Sequence, residues 1–233
     1  MHRLFIFIFC FVFLSVFAQE NRKISYQKIV NGKVTNECFL LFDKQHSIFI
    51  TLFESVKTQP YRDEDGVMVT PSNTIDSIAN KPKFVYYQIK KDDFFVNDIN
   101  NNEETIIRLD RNSSAWELTE EHKKIGDFTC YKAVKSTKDK KYIAWYTPDI
   151  SFPYGPIAIN GLKGVILELY TEDKSLHFVF QHYEKTDEKV EKYIQSYDFD
   201  KAISFSEYQL LRDKRKKEFL MRSTIMESQK KRP

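Results

Sequence analysis

Val165-Ile166-Leu167-Glu168-Leu169-Tyr170, a polar link Thr171-Glu172-Asp173-Lys174-Ser175, then Leu176-His177-Phe178-Val179-Phe180-Gln181: this stretch decides the fold class. In the first run Val165, Leu167 and Leu169 alternate against Ile166, Glu168 and Tyr170. In the second, Leu176, Phe178 and Phe180 alternate against His177, Val179 and Gln181. A strand turns successive side chains to opposite faces, so a period of two marks each run as a strand with one face set against a core. Five residues between them suffice for a hairpin, whereas a parallel pair needs a crossover of a dozen or more. The pair is therefore expected to be antiparallel.

The same pattern recurs outward from this hairpin. Thr129 to Val134 and Lys141 to Tyr146 flank a Lys/Asp/Ser turn, and Trp116-Glu117-Leu118 opens that unit. Phe84 to Ile89, Phe94 to Ile99 and Thr105 to Leu109 are joined by short polar links and read as a meander. Ile24 to Val30 precedes Asn31-Gly32, a dipeptide that accepts the positive φ of tight hairpin turns. Cys38 to Asp43 and Ile48 to Phe53 flank Lys44-Gln45-His46-Ser47. Ile48-Phe49-Ile50-Thr51-Leu52-Phe53 is apolar on both faces, which predicts a strand covered on two sides. Short links throughout argue for a mainly-β, antiparallel sheet of about nine to eleven strands rather than βαβ units. From Glu54 to Lys83 the pattern breaks: Pro60, Gly66, Pro71 and Pro82 lie among charges, as in a mobile or functional connection. A C-terminal α-helix is expected from Ser204, where Ser204-Phe205-Ser206-Glu207 has the form of a capping box. Tyr208, Leu211, Phe219 and Ile225 give that helix only a patchy apolar stripe, enough to dock its first turns.

The N-terminus begins Met1-His2-Arg3 and continues with an apolar run from Leu4 to Leu14, then Ser15-Val16-Phe17-Ala18. This is the three-part plan of a secretory signal, and the run is shorter than the roughly 20 residues of a membrane span. The expected organisation is a signal peptide over 1–18, one antiparallel β domain over 19–203, and a basic helix and tail over 204–233. No Cys follows the small residues, so an exported protein without a lipid anchor is expected, periplasmic or extracellular. Export permits a bridge between Cys38 and Cys130, although both sit in strand-like runs where small buried thiols are ordinary core residues. Arg212 to Pro233 carries nine Lys or Arg against three Asp or Glu, while Gln19 to Leu211 carries 26 against 30. The basic tail reads as a solvated helix or a peripheral contact with anionic membrane. Nucleic acid is not a natural partner after export.

Gly126-Asp127-Phe128-Thr129-Cys130-Tyr131-Lys132-Ala133 opens a segment that continues through Ala144-Trp145-Tyr146-Thr147-Pro148-Asp149-Ile150 and Gly155-Pro156. It closes with Gly161-Leu162-Lys163-Gly164-Val165-Ile166-Leu167-Glu168. In order and spacing it resembles the GLPGLI family of exported Bacteroidetes proteins, named for the last motif. Lys163 stands where the family has Pro and Val165 where it has Leu; both glycines, Leu162 and Ile166 are kept. The resemblance implies an exported, envelope-associated protein and carries no catalytic residues across. By fold analogy it implies a curved sheet or half-barrel like those of lipoprotein carriers. Its motif positions are Gly126, Cys130, Trp145, Tyr146, Pro148, Gly155, Pro156, Gly161, Leu162, Gly164 and Ile166.

Beside the resemblance stands a physical reading of the loop. Gly161 and Gly164 permit positive φ or close backbone approach, and Pro148, Pro153 and Pro156 stiffen the chain before them. An ordered loop packed beside Trp145 and Tyr146 follows. It is either a turn that sets strand register or a recognition surface with Tyr146, Tyr154 and Lys163 at its rim.

The motifs of familiar chemistry are not found. His177 and His182 are five apart in a strand, unlike the i, i+4 pairs of zinc hydrolases. Neither G-x-S-x-G nor C-x-x-C occurs, and Gly161-x-x-Gly164 lacks the following Lys-Ser of a phosphate loop. Neither cofactor nor metal is expected. Three readings stand. The first is a non-catalytic binding or carrier protein for an apolar ligand. The second is an accessory of an outer-membrane complex, docked through loops or edge strands. The third is an enzyme of unfamiliar type with dispersed carboxylates, such as a hydrolase.

Overall fold

The computed structural model describes residues 20–52, 61–62, 68–69, 81–100, 103–110 and 115–230. The expected signal segment and most of the Glu54 to Lys83 connection lie outside them. In chain order the elements are β1 (Asn21–Val30), β2 (Lys33–Phe42), β3 (His46–Thr51), β4 (Tyr61–Arg62), β5 (Met68–Val69), β6 (Lys83–Gln88) and β7 (Asp93–Asn100). They continue with β8 (Glu103–Leu109), β9 (Glu117–Ile125), β10 (Phe128–Ser136), β11 (Lys141–Thr147), β12 (Val165–Thr171) and β13 (Leu176–Thr186). The chain closes with the single turn α1 (Glu191–Ile194), a 3-10 turn at Phe199–Lys201, β14 (Ile203–Ser204) and the long helix α2 (Phe205–Lys230).

Twelve strands form one open, curved sheet in the order β14-β8-β7-β6-β3-β2-β1-β13-β12-β11-β10-β9, and β4 pairs with β5 apart from it. The sheet is two meanders sharing a seam: β2, β3, β6, β7 and β8 on one side, β9 to β13 on the other, with β1 between β2 and β13. The deciding hairpin pairs as its alternation demands, Leu169 opposite Phe178. Asn31 and Gly32 take φ of 49° and 76°, turning β1 back into β2.

The apolar pattern of β3 is realised on both faces. Phe49 joins a core with Tyr26, Leu40, Phe42 and Phe178, while Ile48 and Ile50 join a second with Phe39, Leu41, Phe84, Tyr86 and Phe95. Two irregular segments cover these faces. The loop between β11 and β12 lies on the first through Ile150, Tyr154, Ile159 and Leu162. Residues 187–202 lie on the second, where Tyr193 meets Phe39 at 5.7 Å, Tyr197 meets Phe84 at 5.0 Å and Phe199 meets Tyr86 at 4.7 Å. Two fully buried faces at the middle of one sheet account for the aromatic content.

The sheet exceeds the expected strand number at its two edges. β9 runs nine residues, far beyond Trp116-Glu117-Leu118, although Glu117, Glu120, Glu121, Lys123 and Lys124 give it little apolar content. It is an edge strand, and charges on an edge discourage further pairing. β14 adds a short parallel pairing to β8, Ile203 opposite Ile107. The capping box forms beside it: the Ser204 amide donates to Glu207 Oε2 at 2.8 Å, and the Glu207 amide donates to Ser204 Oγ at 3.2 Å. Beyond its first turns α2 exposes Leu210, Leu220 and Met221. Cys38 and Cys130 are both buried free thiols, so the bridge that export permits is not made. No helix among the described residues is long and apolar enough to cross a membrane.

Candidate functional site

The loop after β11 is held by backbone contacts that leave no room for side chains. A Cβ on Gly164 would stand 2.0 Å from the Thr147 carbonyl oxygen and 2.9 Å from Cα of Pro148; one on Gly155 would stand 2.7 Å from Ile166 Cδ1. The Ile166 amide donates to the Tyr154 carbonyl at 2.8 Å, and the Tyr26 hydroxyl on β1 donates to the Ile166 carbonyl at 2.6 Å. Phe152 packs on Phe42 with ring centres 4.9 Å apart, and Tyr154 meets Tyr87 at 5.5 Å. Only about 10 Å³ of free space is left between this loop and the strands beneath it, at Leu40, Phe49 and Tyr87. Tyr154 is thus a core residue, as a register-setting loop allows, and not at the rim where a recognition surface would place it; its burial holds the phenol well above its ordinary pKa. Pro156, Leu162 and Ile166 are buried with it.

The outer shoulder of the same loop is open. A cleft of about 300 Å³ runs between Gly161, Leu162 and Lys163 on one side and Trp116, Leu118, Lys135 and Tyr146 on the other. Trp116 is fixed by donating its indole N–H to the Asn160 carbonyl at 2.8 Å. Leu118 is 63% exposed, Tyr146 is half-buried, and Lys163 is exposed at the mouth. Lys135, on β10, lies at the floor with 3% exposure, its ammonium 5.6 Å from the Trp116 ring centre. Burial lowers its pKa from the ordinary lysine value. Of the motif positions, the cleft gathers Tyr146, Gly161 and Leu162.

The other motif residues lie elsewhere. Gly126 turns β9 into β10 with φ of 55°, against the Phe180 ring. Trp145, next to Tyr146 and so on the opposite face, has the Lys123 ammonium 4.3 Å over its ring. Lys123 pairs with Glu168, which His177 Nε2 also meets at 2.8 Å. Cys130 is buried and its thiol is pushed up to about 11, so it is a core thiol rather than a nucleophile. A second cleft of about 300 Å³ borders Lys23, Ser25, Gln27, Phe39 and Leu52, but Lys23 already pairs with Glu188 at 2.9 Å.

Asp43, His46 and Glu191 bring three ligand-type atoms within 4.8 Å of one another. Asp43 Oδ1 accepts the Gln45 and His46 amides at 2.5 and 2.7 Å, which shapes the turn between β2 and β3. His46 Nδ1 lies 3.9 Å from Asp43 and 3.8 Å from Glu191. The group links that turn to α1.

Neither protein-family models nor curated proteins match this chain. Among solved structures it is similar to PNGF-II in a C2 crystal form, with a TM-score of 0.55, 17% identity, and coverage of 79% of this chain and 31% of that one. PNGF-II in a P21 form gives 0.52 and 19%, over 75% and 30%. The chain spans less than a third of the length of PNGF-II. At this identity the likeness is one of fold.

Trp116 and Lys135 escape a sequence reading because each looks ordinary alone. The one available signal is that Lys135 shares the inward parity of Ala133 on β10, where a charge is out of place.

Proposed function

We propose that the protein is an exported, non-catalytic binding protein of the GLPGLI type, and that it takes an apolar ligand in the cleft between the 160–163 shoulder and Trp116. The observation that carries this reading is an apolar wall left open where the rest of the loop is closed. Trp116, Leu118 and Tyr146 border about 300 Å³ of accessible space, the lower end of small-ligand sites at ~300 Å³. The packing under the loop argues against a cargo sheltered deep within the sheet, so the ligand lies along the shoulder. The glycines of the motif serve this arrangement by letting the loop sit against Thr147 and Ile166. Export without a lipid anchor, with the basic tail resting on an anionic membrane surface, fits the same reading.

Titration with the uncharged fluorescent probe N-phenyl-1-naphthylamine tests it. Saturable binding near one equivalent is expected, with loss on combining Trp116→Ala and Leu118→Asp. An absence of binding, or binding untouched by those changes, overturns it.

A second reading draws on β9, which ends the sheet and leaves one side unpaired among the described residues. A partner strand could add there by β-augmentation, as for an accessory of an envelope complex. Photo-crosslinking from Thr119 or Glu121 that yields no discrete partner argues against it.

A further inference from the structure

Lysine is seldom buried without a counter-charge, because an ammonium taken from water loses solvation that only a paired acceptor restores. Three half-buried lysines of this sheet obey that rule, whereas Lys28 on β1 has no carboxylate partner among the described residues. Lys23 pairs with Glu188, Lys123 with Glu168 and Lys132 with Glu121. Lys135 is more buried than any of them along its stem, its ammonium meets the open space of the cleft, and among the described residues it has neither a carboxylate nor a hydrogen-bond acceptor. The neutral ring of Trp116 lies 5.6 Å from its ammonium. Burial acts on it with no acid to offset the cost. Lys163, at the mouth of the same cleft, also lacks an acid partner among the described residues. Among the described residues two lysines, Asn160 and no carboxylate border a cleft whose walls are otherwise aromatic and aliphatic.

We propose that the occupant of this cleft is an amphiphile with an anionic head, its carboxylate or phosphate seated on Lys135 and its apolar body laid along Trp116, Leu118 and Tyr146. The proposal rests on the binding reading above and adds to it the charge of the ligand. The head supplies the acceptor that the fold omits, Lys163 adds a second, solvent-screened attraction, and the indole face flanks the ammonium on its remaining side. A neutral amphiphile of the same length fills the apolar wall but covers the Lys135 ammonium without giving it an acceptor.

Competition between the bound fluorescent probe and decanoate, decanol or decylamine tests the charge directly. Decanoate is expected to displace the probe at about one tenth or less of the decanol concentration, the scale of one charge-assisted hydrogen bond. Decylamine is expected to be weaker than decanol. Lys135→Met, checked by circular dichroism for an unchanged fold, should lose that preference for decanoate while binding decanol as well or better. Lys163→Met should lower it only slightly and only at low salt. Equal displacement by decanoate and decanol, or a preference that survives Lys135→Met, overturns the anionic head while leaving a binding protein. If none of the three amphiphiles displaces the probe, the binding reading fails and this proposal falls with it. Should Lys135→Met not fold, Lys135→Arg decides: it keeps the charge and must keep the preference for decanoate.

Discussion

At the scale of single residues, the two glycines of the Gly161-x-x-Gly164 motif do different work. Gly164 has a carbonyl oxygen 2.0 Å from where a side chain would begin, whereas Gly161 has φ of 96° and only the Trp116 ring at 3.8 Å. Gly164→Ala is expected to cost on the order of 3 kcal/mol, since a backbone must move to admit one methyl. Gly161→Ala is expected to cost about 1 kcal/mol, the strain of a positive φ. Urea denaturation of both variants checks the order; equal losses would mean that the loop relaxes freely around Gly164. The buried thiols give a second expectation. Cys38 and Cys130 should react with a disulfide reagent only on unfolding, and a reductant should leave the melting temperature unchanged. The glycines were legible because their spacing before an alternating strand called for close approach. The depth of Tyr154 was not, because a tyrosine in a Pro/Gly loop suits a rim or a core equally until Phe42, Tyr87 and Phe152 are brought around it.

At the scale of elements, the alternating strands and the capping box could be read from the chain, and residues 187–202 could not. Val190, Tyr193, Ile194 and Tyr197 do stand at i, i+3, i+4 and i+7, the spacing of one helical face, but only Glu191–Ile194 forms a turn of helix and Phe199 follows in a 3-10 turn, so the spacing does not announce their packing on the sheet. Glu188 fastens the start of that segment. Burial pushes its carboxyl up, but hydrogen bonds from Lys192, Tyr193 and Lys23 outweigh this and bring it down to about 2. A carboxyl depressed below its ordinary 4.5 stabilises the fold above that pH, and the contribution fades as pH falls from 4.5 towards 2. Wild type should therefore lose roughly 2 kcal/mol more than Glu188→Gln over that window. Chemical denaturation at pH 6, 3.5 and 2.5 measures the difference, and parallel curves for the two proteins would show that the segment is held by its aromatic rings alone. Edge strand β9 was half-legible for a physical reason: an edge needs charges to repel other edges, and those charges erase the pattern by which strands are recognised.

At the scale of the whole molecule, antiparallel order followed from short links, but the shared position of β1 did not, since no local pattern says which distant strand completes a sheet. Asn21 faces Thr186 and Val30 faces Leu176, so strands from opposite ends of the described chain are neighbours at its middle. Most other pairings in the two meanders join strands across short links, and even β3 with β6 and β11 with β12 span far less of the chain than β1 with β13. The seam closes a loop of most of the chain before it is repaid by contacts, and that entropy belongs to the folding barrier. Folding is thus expected on the scale of seconds rather than milliseconds, with the meanders waiting for β1. Ile24→Val, a loss of about 1 kcal/mol at the seam, should then slow refolding and leave unfolding almost unchanged, which stopped-flow fluorescence can resolve. A chain built in this way stays unfinished until its last long strand has arrived, however early its first one was made.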